Sequence, residues 1–132
     1  MFDEIGAWIA GIKHLMYPGQ FEAWMLTLAS EAVIAALLAR SFGLVAWKAA
    51  AAAVLGSLVT HPNVWWLHHH LLWELGYWPS FAIVEGYAVA VESAFYCAAG
   101  SKLGNALAIS FVVNAGSVLA GFAMYAIQGS FG

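Results

Sequence analysis

The stretch PSFAIVEGYAVAVESAFYCAA, residues 79–99, decides how this chain must fold. It is apolar almost throughout and reaches the roughly 20 residues that cross a hydrocarbon core about 30 Å thick. It opens on Trp78-Pro79, where proline suits a first helical turn, and runs out before Gly100-Ser101-Lys102. Yet it carries Glu85 and Glu92 at i and i+7, which places both carboxylates on one helix face with Val89 between them and Tyr96 continuing the stripe. A membrane-type helix with an acidic face is the consequence.

Working outward, the same character extends over the whole chain. Hydrophobic residues make up 64% of the 132 and charged residues 8%, with a mean hydropathy of +0.82, where a soluble domain carries roughly a quarter charged residues. Such a chain cannot cover its surface with water-compatible groups, and lipid is the solvent that suits it. Three further windows resemble the first in length and composition. One runs from about Phe21 to Ala39 and stops at Arg40. A second, Ala-rich, runs from Leu44 to Thr60 and is expected to stop at the His61-Pro62 step. The last occupies about Leu103 to Ile127, with a short tail expected to fray. The expected fold is therefore all-α: a polytopic membrane protein of four transmembrane helices in a single domain.

A fifth segment, residues 5–16, is too short to cross. Ile5, Trp8, Ile9, Ile12, Leu15 and Met16 recur at helical spacing and leave Lys13 and His14 off the stripe, so a short amphipathic helix is expected, either in the interface or across the mouth of the bundle. The first residues, MFDEIGAW, lack the basic and apolar regions of a signal peptide, so insertion is expected to rely on the spans.

Arg40, Lys48 and Lys102, three of the four basic residues, fall in or within about one turn of the first and third connections, which the positive-inside rule assigns to the cytoplasm. Both termini and the connection from His61 to Pro79 then face outward, and the expected location is a bacterial inner membrane. Trp65, Trp66, Trp73, Tyr77 and Trp78 crowd that connection as an aromatic belt would. Scattered cations leave no footprint for nucleic acid. The lone cysteine, Cys97, reads as a small core residue. No phosphate loop, dinucleotide-binding turn, HExxH or CxxC appears.

What remains are the polar groups inside the apolar windows. A carboxylate near the centre of a transmembrane helix costs about 2.5–3.5 kcal/mol on insertion scales and normally faces a bundle interior or a wet cavity. Glu31 lies near the middle of the first window, Glu92 near the middle of the third, and Glu85 about two turns toward its outer end. Apart from Lys48, about one turn into the second window, no Lys or Arg lies within a window to neutralise them, so each must carry a proton, be bridged through water or Asn, or be compensated by a bound cation. Ser110, Asn114, Ser117 and Gly121 form a stripe on the last window. Such a stripe serves close helix packing, and Asn114 also falls at the depth of Glu31 and Glu92. His61 matches Glu85 in depth and reads either as a capping histidine or, with that carboxylate, as a ligand pair for a divalent transition metal or a proton relay. His68, His69 and His70 are successive, so at most two can share an ion.

Thr60-His61-Pro62 followed by Trp65, then Glu85 and Glu92 on one span and Asn114 and Ser117 on the next, resembles a group of small, uncharacterised bacterial four-helix integral membrane proteins. The likeness covers the last three spans. It groups these residues and implies no activity.

Three functions are open at this stage. The first is a cation-handling membrane protein in which His61 and Glu85 form an outer site and Glu31, Glu92 and Asn114 an inner one for a divalent metal ion or protons. Its small size calls for a homo-oligomer or partner membrane subunits. The second is an accessory subunit of a respiratory or photosynthetic complex, its polar stripes serving assembly or a pigment or haem. The third is an intramembrane metal-dependent enzyme in which a glutamate activates water with help from His61.

Overall fold

A computed structural model of the chain describes residues 6, 7, 10 and 19–130. The amphipathic segment expected over residues 5–16 lies outside the described residues apart from those three positions. The architecture is four helices and, among the described residues, no strand: α1 (Gln20–Leu38) with a 3-10 extension (Ala39–Phe42), α2 (Ala46–Leu75), α3 (Tyr77–Ala98) and α4 (Leu103–Ser130). They run up and down in sequence. Each packs on its two neighbours in a closed ring, α1 on α2, α2 on α3, α3 on α4 and α4 back on α1.

Three helices are long and apolar enough to cross a membrane: Gln20–Phe42, Tyr77–Ala98 and Leu103–Gly129. The longest, α2, is not in that set, because its 30 residues include Lys48, His61-Pro62-Asn63, the three successive histidines and Glu74. The outward faces of α1, α3 and α4 are apolar, with Val33, Leu37, Ile83, Phe111 and Leu119 exposed.

The largest departure from the sequence expectation is the end of the second helix. Proline at position 62 removes one donor to the carbonyl four residues earlier, and this predicts a stop. Instead α2 continues for more than three further turns to Leu75, with Pro62 on an exposed face. Asn63, the next residue, donates from its side-chain amide to the Val59 carbonyl at 2.8 Å, adding a bond where the ladder is weakened. Residues 61–79 are thus not a connection. The link between α2 and α3 is Gly76 alone, at φ 78°, a left-handed value that side chains disfavour. Its N–H reaches the Leu72 carbonyl, and Ser80 Oγ donates to the Gly76 carbonyl at 2.6 Å, with the Tyr77 carbonyl at 2.9 Å as alternative acceptor. The fourth helix also outlasts expectation, running to Ser130 rather than fraying after residue 127.

The two ends of the bundle differ. Arg40, Lys48 and Lys102 are exposed at the end that carries the α1–α2 and α3–α4 connections. The half nearest that end is packed solid by Ala35, Ala39, Leu44, Ala49, Ala52, Ala53, Tyr96, Ala106, Ile109 and Val113. On α2 the buried set Ala49, Ala52, Ala53, Gly56, Ser57 and Thr60 recurs at i, i+3, i+4, i+7, i+8 and i+11, a stripe of small residues that lets neighbouring backbones come close. Ala106, Ile109, Ser110, Val113, Asn114 and Ser117 repeat that spacing on α4. At the opposite end the last turns of α2 and the first of α3 present Trp65, Trp66, Trp73, Tyr77 and Trp78.

Candidate functional site: a carboxylate-floored chamber

The upper half of the ring, toward the aromatic end, encloses a cavity of about 650 Å³. All four helices contribute walls: Leu26 and Thr27 from α1, Val64 and Trp65 from α2, Phe81, Val84 and Ala88 from α3, Val118, Phe122 and Tyr125 from α4. Its floor, about half-way down the bundle, is polar and consists of Glu31, Ser57, Thr60, Glu92, Asn114 and Ser117. Beneath the floor begins the packed core, with Tyr96 one turn below Glu92. Among the described residues the chamber thus lies between the packed core and the aromatic end.

The floor is wired by side-chain hydrogen bonds that cross between helices. Thr60 Oγ1 donates to Glu92 Oε1 at 2.7 Å, and Asn114 Nδ2 donates to Glu92 Oε2 at 2.6 Å while its second N–H serves the Ser110 carbonyl at 2.9 Å. Ser110 in turn donates across to the Val89 carbonyl of α3 at 3.1 Å. Both oxygens of Glu92 are thus held by neutral donors from two flanking helices. Glu31 is treated differently. Ser117 Oγ lies 3.0 Å from its Oε1 and 2.9 Å from the Asn114 carbonyl, while Oε2 is buried without any hydrogen-bond partner. Both glutamates are 1% exposed, and they act on each other electrostatically. Neither forms an ion pair among the described residues, for the cations Arg40, Lys48 and Lys102 stand at the far end.

Glu92 is brought to its place by a glycine. A Cβ built at Gly56 would stand 2.9 Å from Glu92 Cγ and 3.2 Å from its Cβ, closer than real side chains approach. Only a hydrogen at that position lets α3 seat the glutamate against α2, within reach of Thr60 one turn along. Gly56, Ser57 and Thr60 carry no signal as single residues, but their common face with Ala49, Ala52 and Ala53 was available from the spacing.

Of the expected site residues, Glu31, Glu92 and Asn114 meet in the floor, and Ser117 joins them. Glu85 stands about two turns higher on the α3 wall, half-buried and without a hydrogen bond. His61 shares the chamber with Glu85 but is bound elsewhere: Trp65 Nε1 donates to its Nε2 at 2.9 Å, and its ring lies parallel to Trp24 at 6.1 Å between centroids. The three successive histidines lie on a helix and diverge. His68 lines the chamber edge-on to Tyr77, whereas His69 and His70 are exposed and His70 Nδ1 donates to the Trp66 carbonyl at 2.7 Å.

The chain matches no family model, no curated protein and no solved structure. The chemistry of the chamber is therefore read from its own atoms. Among the described residues no group of three or more His, Cys, Asp or Glu could hold a metal ion. The divalent-metal centre expected from His61, Glu85, Glu92, Glu31 and Asn114 has no ligand set of that kind behind it. The floor can instead accept hydrogens, through carboxylates whose charge no protein cation balances.

Proposed function

We propose that this chain is a four-span inner-membrane protein that binds a cation, a proton in its simplest form, on the Glu31–Glu92 floor of a chamber open to the outer side. Spanning by α1, α3 and α4 is supported by their length and apolar faces. The fourth crossing is the 46–60 half of α2, whose small-residue stripe packs into the ring. At 1.5 Å per residue, 30 residues extend about 45 Å, so the remainder of α2 stands above a hydrocarbon core of about 30 Å. With Arg40, Lys48 and Lys102 at one end, the positive-inside rule puts that end in the cytoplasm and the chamber mouth outside.

The hydrogen-bond count at Ser117 carries the reading. One hydroxyl hydrogen faces two acceptors, Glu31 Oε1 and the Asn114 carbonyl. Ser117 can serve one of them fully or share its hydrogen between them, and both contacts gain a full hydrogen when Glu31 carries one of its own and donates it to Ser117 Oγ while Ser117 donates to the carbonyl. Glu92, with two neutral donors on its two oxygens, is arranged as the acceptor of the pair. A buried carboxylate without a counter-charge is costly, so the proton on Glu31 leaves readily only when another cation takes its place. One chain supplies the whole floor, and no second copy is needed to complete it.

Infrared difference spectra of the purified protein in lipid nanodiscs, recorded as pH is varied, test this. The wild type is expected to show a carboxylic-acid C=O band that titrates, and Glu31→Gln is expected to remove it. Glu92→Gln should shift that band, since the two carboxyl groups interact. If neither substitution alters the carboxyl absorbance, the floor does not handle protons.

A further inference from the structure

We infer that the chamber is a binding site for a small organic cation, a primary ammonium on an apolar, ring-sized body, whose N–H groups take the place of the proton on the floor. The inference rests on the reading of Glu31 and Glu92 as the cation-binding floor and names what that floor receives besides protons.

Size is the first argument. A proton needs no cavity and an inorganic ion needs little, whereas about 650 Å³ lies within the roughly 300–1,000 Å³ of sites that enclose small organic molecules. The walls are the second. Phe81, Val84, Val118 and Phe122 face the space above the floor, and a hydrated ion would gain nothing from them, while an apolar body would displace water from all four. Such a division, apolar walls with a few convergent polar atoms at one pole, is that of a site for an amphiphilic ligand.

The polar pole independently calls for a donor. Glu31 Oε2 is buried and unpartnered in a side chain 99% buried, and it belongs to a residue that lines the cavity. A buried acceptor left empty costs about 1–3 kcal/mol, and an ammonium N–H arriving from the chamber would fill it with a charge-assisted bond. An ammonium has three donors, enough to reach Glu31 and Glu92 together. The fourth argument is the sign of the field. Glu31, Glu85 and Glu92 line the chamber with no Lys or Arg among the described residues of its walls, which favours cations over anions and neutral molecules. Glu85, unbonded and about 10 Å above Glu92 at 1.5 Å per residue, offers an entering ammonium a first contact. Near the mouth Trp65 and Tyr77 also line the chamber, and aromatic rings of these types attract cations.

The test compares 2-phenylethylammonium with 2-phenylethanol, which has the same ring and chain but no charge, by calorimetric titration of the full-length protein in nanodiscs. The ammonium is expected to bind saturably and the alcohol at least about tenfold more weakly, as loss of a charge-assisted bond implies. Glu31→Gln should weaken the ammonium by a similar factor and leave the alcohol unchanged. Equal binding of the two compounds, or none by the ammonium, overturns the inference, and this comparison needs no variant to fold. The infrared titration separates the two proposals. A Glu31-dependent carboxyl band without ammonium binding overturns this inference alone, and the absence of both overturns the floor as a cation site.

Discussion

Adding one methyl group at Gly56 should dislodge a carboxylate on another helix. In Gly56→Ala the new Cβ would meet Glu92 Cγ at 2.9 Å and Cβ at 3.2 Å, with the α3 backbone at Glu92 Cα only 3.5 Å away. Glu92 cannot swing clear cheaply, since its two oxygens are fixed by Thr60 at 2.7 Å and Asn114 at 2.6 Å. Overpacking of this kind costs about 1–3 kcal/mol, and loss of one hydrogen bond to a charged group about 1.5–3 kcal/mol more. Against this, alanine gains about 1 kcal/mol over glycine in a helix interior, leaving a net loss of about 1.5–5 kcal/mol. Gly86→Ala on α3 is the control, because nothing lies within 4 Å of a Cβ there, and helix propensity alone predicts a gain of up to about 1 kcal/mol. Thr60→Val removes one of the two bonds without the clash and should fall between them. Reversible unfolding by SDS in mixed micelles would rank the three. Should Gly56→Ala prove as stable as Gly86→Ala, the close approach of α2 and α3 at Glu92 is wrong, and with it the placement of the floor.

Two further expectations follow from single residues. The Tyr96 hydroxyl is buried and makes no hydrogen bond, so Tyr96→Phe should leave stability unchanged or raise it by about 1 kcal/mol in the same assay, and a loss of that size would mean the hydroxyl has a partner. Ser41 is exposed beside Arg40 at the basic end, so in a Cys97→Ser background Ser41→Cys should react with a membrane-impermeant maleimide only after cells are lysed. Labelling of intact cells would invert the proposed orientation.

Much of the architecture was legible because its signal is composition, which survives ignorance of neighbours. Residues 79–99 and 103–127 announce themselves by apolar length, and the helices found there extend only slightly further. Pro62 shows where such reading fails. Proline's cost is local and known, but whether a helix continues past it depends on what else holds the next turns, here the Asn63 side chain and the packing of Trp65, Val64 and His68 around the chamber. For the same reason His68, His69 and His70 read as a loop feature and are in fact spread around a helix. In the site, depth along each window brought Glu31, Glu92 and Asn114 to one level, since four antiparallel helices must align their midpoints. Depth does not fix rotation. His61 and Glu85 share a level too, yet the His61 ring is turned toward Trp24 and Trp65. Gly56 was invisible in isolation because its importance lies in an atom it lacks.

The alanine-packed half beneath the floor has a consequence for how anything could pass through it. A channel gated by a side chain opens when that side chain changes rotamer, within picoseconds to nanoseconds for an unhindered group. Ala35, Ala39, Ala49, Ala52, Ala53 and Ala106 have no rotamer to change, and their methyl groups are the surfaces on which the helices touch. Tyr96 could turn aside and the way would still be shut. Access from the basic end therefore demands that whole helices part, a collective movement on the microsecond-to-millisecond scale. Any passage through this half of the bundle would wait on that movement.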